Sequence, residues 1–415
     1  MSKVSVYSEI GTLEGVILHP PGPEVENMTP KNAERALYSD ILNLAVARKE
    51  YNQLECALQH ITETFRIIDL LRDILRSGEV KEKIIKKTCY NERRPEMLGY
   101  LMDLEPGELS RLLIQGVPLI KETLTNFLSD ENFALRPLHN FFFTRDAAIT
   151  VHDRVLIGKM ANKVRDREAL IMEAIFNYHP RLRSQTIVAD DHDIAGNRIT
   201  IEGGDVLVAR EDILLVGIGS RTSTQGVDFM MQQARQEKKP FHIIVQELPQ
   251  KPESFIHLDM VFTLLDHDTC MVYEPLILRP NKYETVHIAL DNGEVKSIRT
   301  VENIPSILAK LGMDLKPAFC GGMNDSNIQE REQWHSGANF FAVGPGKIIG
   351  YNRNINTIEN LSQNGFEVLK ARDLHHGKIN LNDYQKYVLT IDGSELSRGG
   401  GGARCMTMPF KRKND

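Results

Sequence analysis

The chain has 415 residues, of which 41% are hydrophobic and 26% charged, an ordinary globular composition with enough apolar side chains for a sizeable core. A net charge of −6 supplies no basic footprint for nucleic acid and no cationic face for a membrane. No apolar run approaches the ~20 residues that span a bilayer, residues Met1 to Tyr7 lack a signal peptide's apolar region, and five thinly spread cysteines do not make a disulfide framework; the expected compartment is the cytoplasm, where a reduced thiol is available as a nucleophile.

In chain order, Ser8 to Pro20 carries Leu13, Val16, Ile17 and Leu18 and stops at Pro20-Pro21-Gly22-Pro23, which predicts a first strand and a turn. From Lys31 to Asn126 the pattern changes. Tyr51, Leu54, Leu58 and Ile61, then Leu70-Leu71 and Ile74-Leu75, recur at spacings of three and four, the period of amphipathic helices. Pro106 opens a further helix that Gly116 closes. Residues 31–126 therefore read as an inserted α-helical domain, with 1–30 and 127–415 forming the main domain. After Leu135, β-type runs (Val155-Leu156-Ile157, Val206-Leu207-Val208, Ile213 to Val216, Ile348-Ile349) alternate with helical stretches at Asp166 to Tyr178, Gly226 to Lys238 and Ile304 to Leu311. The class is α/β.

A weak internal repeat runs through this part. A polar signature precedes an apolar strand ending in glycine or a polar turn: Arg145-Asp146 leads to Ile157-Gly158, Gly204-Asp205 to Val216-Gly217, His257-Leu258-Asp259 to Met271-Val272-Tyr273, and Ala338-Asn339 to Ile349-Gly350. Strand–strand–helix units closing around a centre would bring these signatures together; coincidence among common strand patterns is the other reading.

The chemistry concentrates in a few places. Cys405 follows four glycines, Gly399 to Gly402, and is flanked by Arg398 and Arg404. The glycines allow close backbone approach to a ligand, and nearby arginines would favour thiolate; a buried structural cysteine beside a loop is the plainer alternative. The run is neither a P-loop nor a GxGxxG fingerprint. On a strand, His257 and Asp259 would share a face, a pairing suited to proton transfer and cation binding. Glu202-Gly203-Gly204-Asp205 and Phe143-Thr144-Arg145-Asp146 each set carboxylates beside a strand start. Singly, these motifs also fit turns and surface ion pairs. Together around one thiol they make an anionic pocket, which fits a planar cation such as guanidinium with its fixed fork of donors. With no HExxH, no paired CxxC and no second histidine at ligand spacing, no metal is expected.

Taken together, the motifs resemble the arginine deiminase family of guanidine-modifying enzymes. The resemblance is carried by Ser8-Glu9-Ile10-Gly11, Asn140 through Asp146, Glu202 through Asp205, Arg221-Thr222-Ser223, His257-Leu258-Asp259, Arg331-Glu332-Gln333-Trp334 and Arg404 through Pro409. It implies a five-fold pseudosymmetric α/β-propeller of ββαβ-type units with an inserted helical domain. It further implies conversion of free L-arginine to L-citrulline and ammonia through a thiouronium linked to Cys405, with no cofactor. His257 would be the general acid/base and Glu202 its carboxylate partner. Asp146 and Asp259 would grip the guanidinium, backed by Asp205, while Arg165 and Arg221 hold the α-carboxylate. Asn140 and Phe143 would line the pocket, and a homo-oligomer is expected. The chain departs from the family pattern at Gly400, where an arginine is usual, at His19-Pro20-Pro21-Gly22 for His-Arg-Pro-Gly, and at His335-Ser336 for Asn-Asp. An amidinotransferase, a dihydrolase, another deiminase, or a non-catalytic propeller that binds a partner remain as alternatives.

Overall fold

The computed structural model describes residues 3–29, 33, 37–38, 40–189 and 199–414. Five sheets share one pairing plan: two antiparallel strands, then a third strand parallel to the second. Ala148–Val151 and Arg154–Ile157 are joined by Gln185–Ile187. Val206–Arg210 and Ile213–Ile218 are joined by Phe241–Glu247. Phe262–Asp266 and Thr269–Val272 are joined by Lys316–Phe319, and Phe341–Gly344 and Lys347–Tyr351 by Tyr387–Ile391. The fifth sheet draws on distant parts of the chain: Met408–Arg412 pairs antiparallel with Leu13–Leu18, which pairs in parallel with Glu63–Arg66. Ile213–Ile218 and Tyr387–Ile391 are near-continuous apolar runs, buried almost throughout, as strands covered on both faces must be.

A parallel return requires a crossover, and helices supply it. Asp166–Tyr178 spans the first gap, over the residues its sequence pattern predicts. Thr224–Gln236 spans the second; the Ser223 side chain accepts from Gly226 N and starts the helix two residues earlier than its apolar periodicity suggests. Pro106–Gln115 opens on proline and ends at Gly116, whose φ of 87° suits a residue without a Cβ. Helices Ile67–Ile74, Gly78–Asn91 and Pro106–Gln115 bury their apolar faces in one cluster with Asp166–Tyr178.

Two features differ from the sequence reading. Within 31–126, read as helical, Glu63–Arg66 is a strand of the fifth sheet. Helix Leu44–Ile61 is the crossover that leads to it and packs on helix Ala371–His375. The expected boundary at 30/31 lies outside the described residues. In addition, a ribbon of Thr285–Asp291 and Glu294–Val301 widens the second sheet to five strands. All five cysteines are free thiols.

Candidate active site

Just ahead of the first strand of each sheet the chain makes a short polar segment. These segments carry Asp146, then Glu202 and Asp205, then His257 and Asp259, then Asn339, then Cys405. Hydrogen bonds link each to the next and the last to the first. Gly203 N donates to Asp146 O at 3.0 Å. Leu258 N donates to Asp205 Oδ1 at 2.9 Å. Asn339 Nδ2 donates to Asp259 O at 3.1 Å. Arg404 N donates to Asn339 Oδ1 at 2.9 Å, and Arg145 N to Cys405 O at 3.1 Å. Five stretches far apart in sequence thus share one buried centre. His257 and Asp259 do not sit on a strand: His257 is extended and Leu258–Met260 turns as a 3-10 helix.

Glycine makes the close packing possible. A Cβ on Gly204 would lie 2.5 Å from His257 Nδ1, and one on Gly402 would lie 2.7 Å from the Asn339 side chain.

Cys405 Sγ lies 3.8 and 3.9 Å from the two Asp259 oxygens and 3.2 Å from Asn339 Nδ2. Burial pushes the thiol well above its ordinary range, and Asp259 and Asp146 push it further; Arg404 pulls the other way without reversing this. The flanking arginines therefore do not make a resting thiolate. Arg404 turns away to Glu9, with contacts of 3.0 and 2.9 Å, and to Asp259 Oδ2 at 2.8 Å. Arg398 pairs with Asp40 and Glu395 near the surface.

His257 Nε2 lies 3.0 Å from Glu202 Oε2, and Nδ1 lies 3.6 Å from Asp146 Oδ1. Burial works against the imidazolium, but Asp146, Glu202 and Asp205 outweigh it and raise the pKa to about 9. Burial raises Glu202 in turn, yet His257, Arg221 and Arg165 hold it below the usual carboxylate range. Asp205 is pushed up to about 7 by burial.

Arg165 is enclosed rather than open to the cleft. Its guanidinium donates to Asp146 Oδ2 at 2.6 Å, to Glu168 Oε2 at 3.0 and 2.7 Å, and to the carbonyls of Asn140 and Phe143 at 3.4 Å. Arg221 is less buried, with its side chain 13% exposed, and lies 3.8 Å from Glu202. It lines a cleft that also includes Ser254, Ile256, Trp334, Arg398 and Gly400. Phe143 packs tilted against Phe142 and against Gly401; Asn140 is buried beside it. The residues sequence reasoning left out of the site are Asn339, Glu9, Arg404 and Glu168. Asn339 had a signal, as the polar signature of the fourth repeat. Glu9 and Arg404 stand within motifs that carry the resemblance, though without an assigned role there, and Glu168 had no signal.

Asp146, Glu202 and His257 could bring ligand atoms within 4.8 Å of one another, near enough for a metal. Fixed cations already face them: Arg165 lies 2.6 Å from Asp146 and 3.8 Å from Glu202. Asp146 spends Oδ2 on Arg165 and Asp259 spends Oδ2 on Arg404, leaving each Oδ1 toward the centre. Asp146 Oδ1 and His257 Nδ1 make no hydrogen bond. The arrangement offers carboxylate acceptors, a thiol and a proton-carrying imidazole around one small volume.

A solved amidinotransferase of the saxitoxin biosynthetic pathway from Microseira wollei aligns over 100% of this chain and 98% of its own, with a TM-score of 0.55 at 14% identity. The N-terminal domain of a cyanobacterial arginine dihydrolase aligns over 96% and 98%, with a TM-score of 0.54 at 12% identity. At such identities these likenesses speak to the fold alone, which is mixed α/β. The sequence profile described as arginine deiminase matches residues 34–412, and an arginine deiminase of Latilactobacillus sakei is 31% identical over 438 aligned positions, 99% of each chain. The chain belongs to the arginine deiminase family.

Proposed function

We propose that the protein hydrolyses free L-arginine to L-citrulline and ammonia through a covalent adduct on Cys405. The observation that carries this reading is the meeting of one thiol, one imidazolium and unspent carboxylate oxygens in a buried centre. Asp146 Oδ1 and Asp259 Oδ1 accept from the guanidinium nitrogens and set its carbon against Cys405 Sγ. Fixed orientation of this kind lowers a barrier by several kcal/mol (about 7 or more in favourable cases).

The incoming cation stabilises negative sulfur, and the thiol proton leaves to solvent. The thiolate adds to the guanidinium carbon. His257 Nδ1, the nitrogen not held by Glu202, gives its proton to a terminal nitrogen; the C–N bond breaks and ammonia departs, leaving a cationic thiouronium. Neutral His257 then takes a proton from water, and the hydroxide adds to the same carbon. The C–S bond breaks as the carbonyl forms, the hydroxyl proton passes to sulfur, and citrulline is released.

Arg221 is the proposed partner of the α-carboxylate, since it borders the cleft. Arg165 acts from within, by orienting Asp146. The pairing plan of the five sheets, and the ring of hydrogen bonds inside them, favour an α/β-propeller closed around the site. The proposed division is a catalytic domain of residues 1–30 and 127–415 with a helical insertion at 31–126. The helices between Ile67 and Gln115 form the body of that insertion, while Leu44 to Arg66 lie with the sheets. No described helix is long and apolar enough to cross a membrane; a cytoplasmic homo-oligomer completes the proposal, and sedimentation of the purified protein tests the assembly.

The deciding experiment incubates the protein with L-arginine and assays ammonia and citrulline together, with Cys405→Ala as control. Equal release of both, abolished in Cys405→Ala, is expected. Ornithine in place of citrulline, or unchanged activity of Cys405→Ala, would overturn the reading.

A further inference from the structure

Four of the five polar segments bring acid, base or nucleophile to the centre. The fourth brings a neutral amide, Asn339, which is 1% exposed. Its orientation is fixed by its neighbours. Oδ1 accepts from two successive backbone N–H groups, those of Arg404 at 2.9 Å and Cys405 at 3.2 Å. An NH2 group in that place would face two donors, so the amide cannot be turned over. Nδ2 must then face the Asp259 carbonyl at 3.1 Å and Cys405 Sγ at 3.2 Å.

We propose that Asn339 is a catalytic residue that holds the turn carrying Cys405 and donates a hydrogen bond to the sulfur as it takes on negative charge. The proposal rests on the reading of Cys405 as nucleophile. Apart from a backbone hydrogen bond from Gly402, which favours the thiolate, the groups facing that sulfur are the wrong sign for it: Asp259 lies at 3.8 Å, and Asp146 adds to its field. The only arginine next to it in sequence spends its donors on Glu9, Asp259 and the Val206 carbonyl. An amide N–H is weak toward a neutral thiol but becomes a charge-assisted donor toward a thiolate, so its contribution grows as the reaction begins. A carboxylate at this position would add a further negative charge beside the sulfur. This accounts for asparagine standing where the first three segments carry acids.

The test reads the thiol without requiring turnover. The rate of Cys405 alkylation by iodoacetamide at pH 8 follows its thiolate fraction and is measured from the mass of the peptide containing it, without arginine. A charge-assisted hydrogen bond of ordinary strength corresponds to about 1–2 pKa units, so Asn339→Ala should alkylate about 10–100-fold more slowly. Asn339→Asp keeps the acceptor for both backbone N–H groups and loses the donor; it should slow at least as much, with its fold verified by circular dichroism. If Asn339→Ala does not fold, Asn339→Ser removes the same donor and is read in the same way. An alkylation rate at or above the parent's in the folded variants overturns the proposal. Absence of citrulline formation by the parent enzyme would instead overturn the deiminase reading and leave the alkylation comparison standing.

Discussion

Glu202→Gln should convert His257 from a group that carries a proton at neutral pH into one that is only about half protonated there. Glu202 Oε2 lies 3.0 Å from Nε2. Burial lowers the imidazole pKa, and Asp146, Glu202 and Asp205 together bring it to about 9, from 6.5. A full charge at ~4 Å in surroundings of effective dielectric ~20 is worth about 4 kcal/mol, close to the about 3 kcal/mol that this net rise represents. Removing that charge while keeping the volume should therefore return His257 to about 7, with Asp146 offsetting burial. Two measurements check this. NMR of the protein carrying 13C-labelled histidine reads the titration directly. The pH dependence of citrulline formation should lose its alkaline limb about 2 units earlier, because the leaving nitrogen then finds no proton. A His257 titration unmoved by Glu202→Gln would refute the assignment of its charge to this pair.

Glu9→Gln should leave Arg404 short of a buried partner. Burial would raise Glu9, but Arg404, Arg145 and Arg412 bring it down to about 2 from 4.5, which is about 3 kcal/mol and about 3–4 °C of melting temperature in a chain of this length. Because the folded pKa is depressed, that stability is present above the unfolded value near 4.5 and is lost as pH falls toward 2. Urea titrations should therefore show a parent–variant gap at pH 7 that narrows below pH 4.5. Gly204→Ala puts a methyl 2.5 Å from the His257 ring and should cost about 100-fold in kcat through misplacement of the imidazole, read by steady-state assay. Glu50→Ala should loosen the loop leading to the glycine run, since the Glu50 carboxylate accepts from Ser394, Glu395 and Leu396 N at 2.9 to 3.1 Å. Faster hydrogen exchange at those three amides and a higher KM are expected.

The parts of the fold legible in the sequence are those with a buried face. Helix Asp166–Tyr178 and strand Ile213–Ile218 carry their period or their apolar run openly. Strand Glu63–Arg66 is four residues long, with none of them fully buried, so it has no apolar alternation to read. Strand Glu294–Val301 is exposed along most of its length and is equally silent. The polar segments of the site were legible because charged residues directly precede apolar strands. Their mutual pairing was not. Arg165 looked available for a carboxylate, and only the fold sets it against Asp146 and Glu168. Glu9 meets Arg404 across nearly the whole chain, a contact no local pattern encodes.

The same pairing explains why the Cys405 thiol is pushed well above its ordinary range and what an incoming cation would change. Arg165 and Arg404 are surrounded by acceptors, so they orient the two aspartates without consuming both oxygens of either. An anion entering the centre would meet those oxygens and find its arginines engaged. A guanidinium would meet carboxylate acceptors and, once there, oppose the field that Asp146 and Asp259 impose on Cys405. On the proposed reading, binding and activation would then be one event. Free arginine in the centre would bring the charge that the sulfur lacks, and an empty centre holds a thiol that reacts only slowly with other electrophiles.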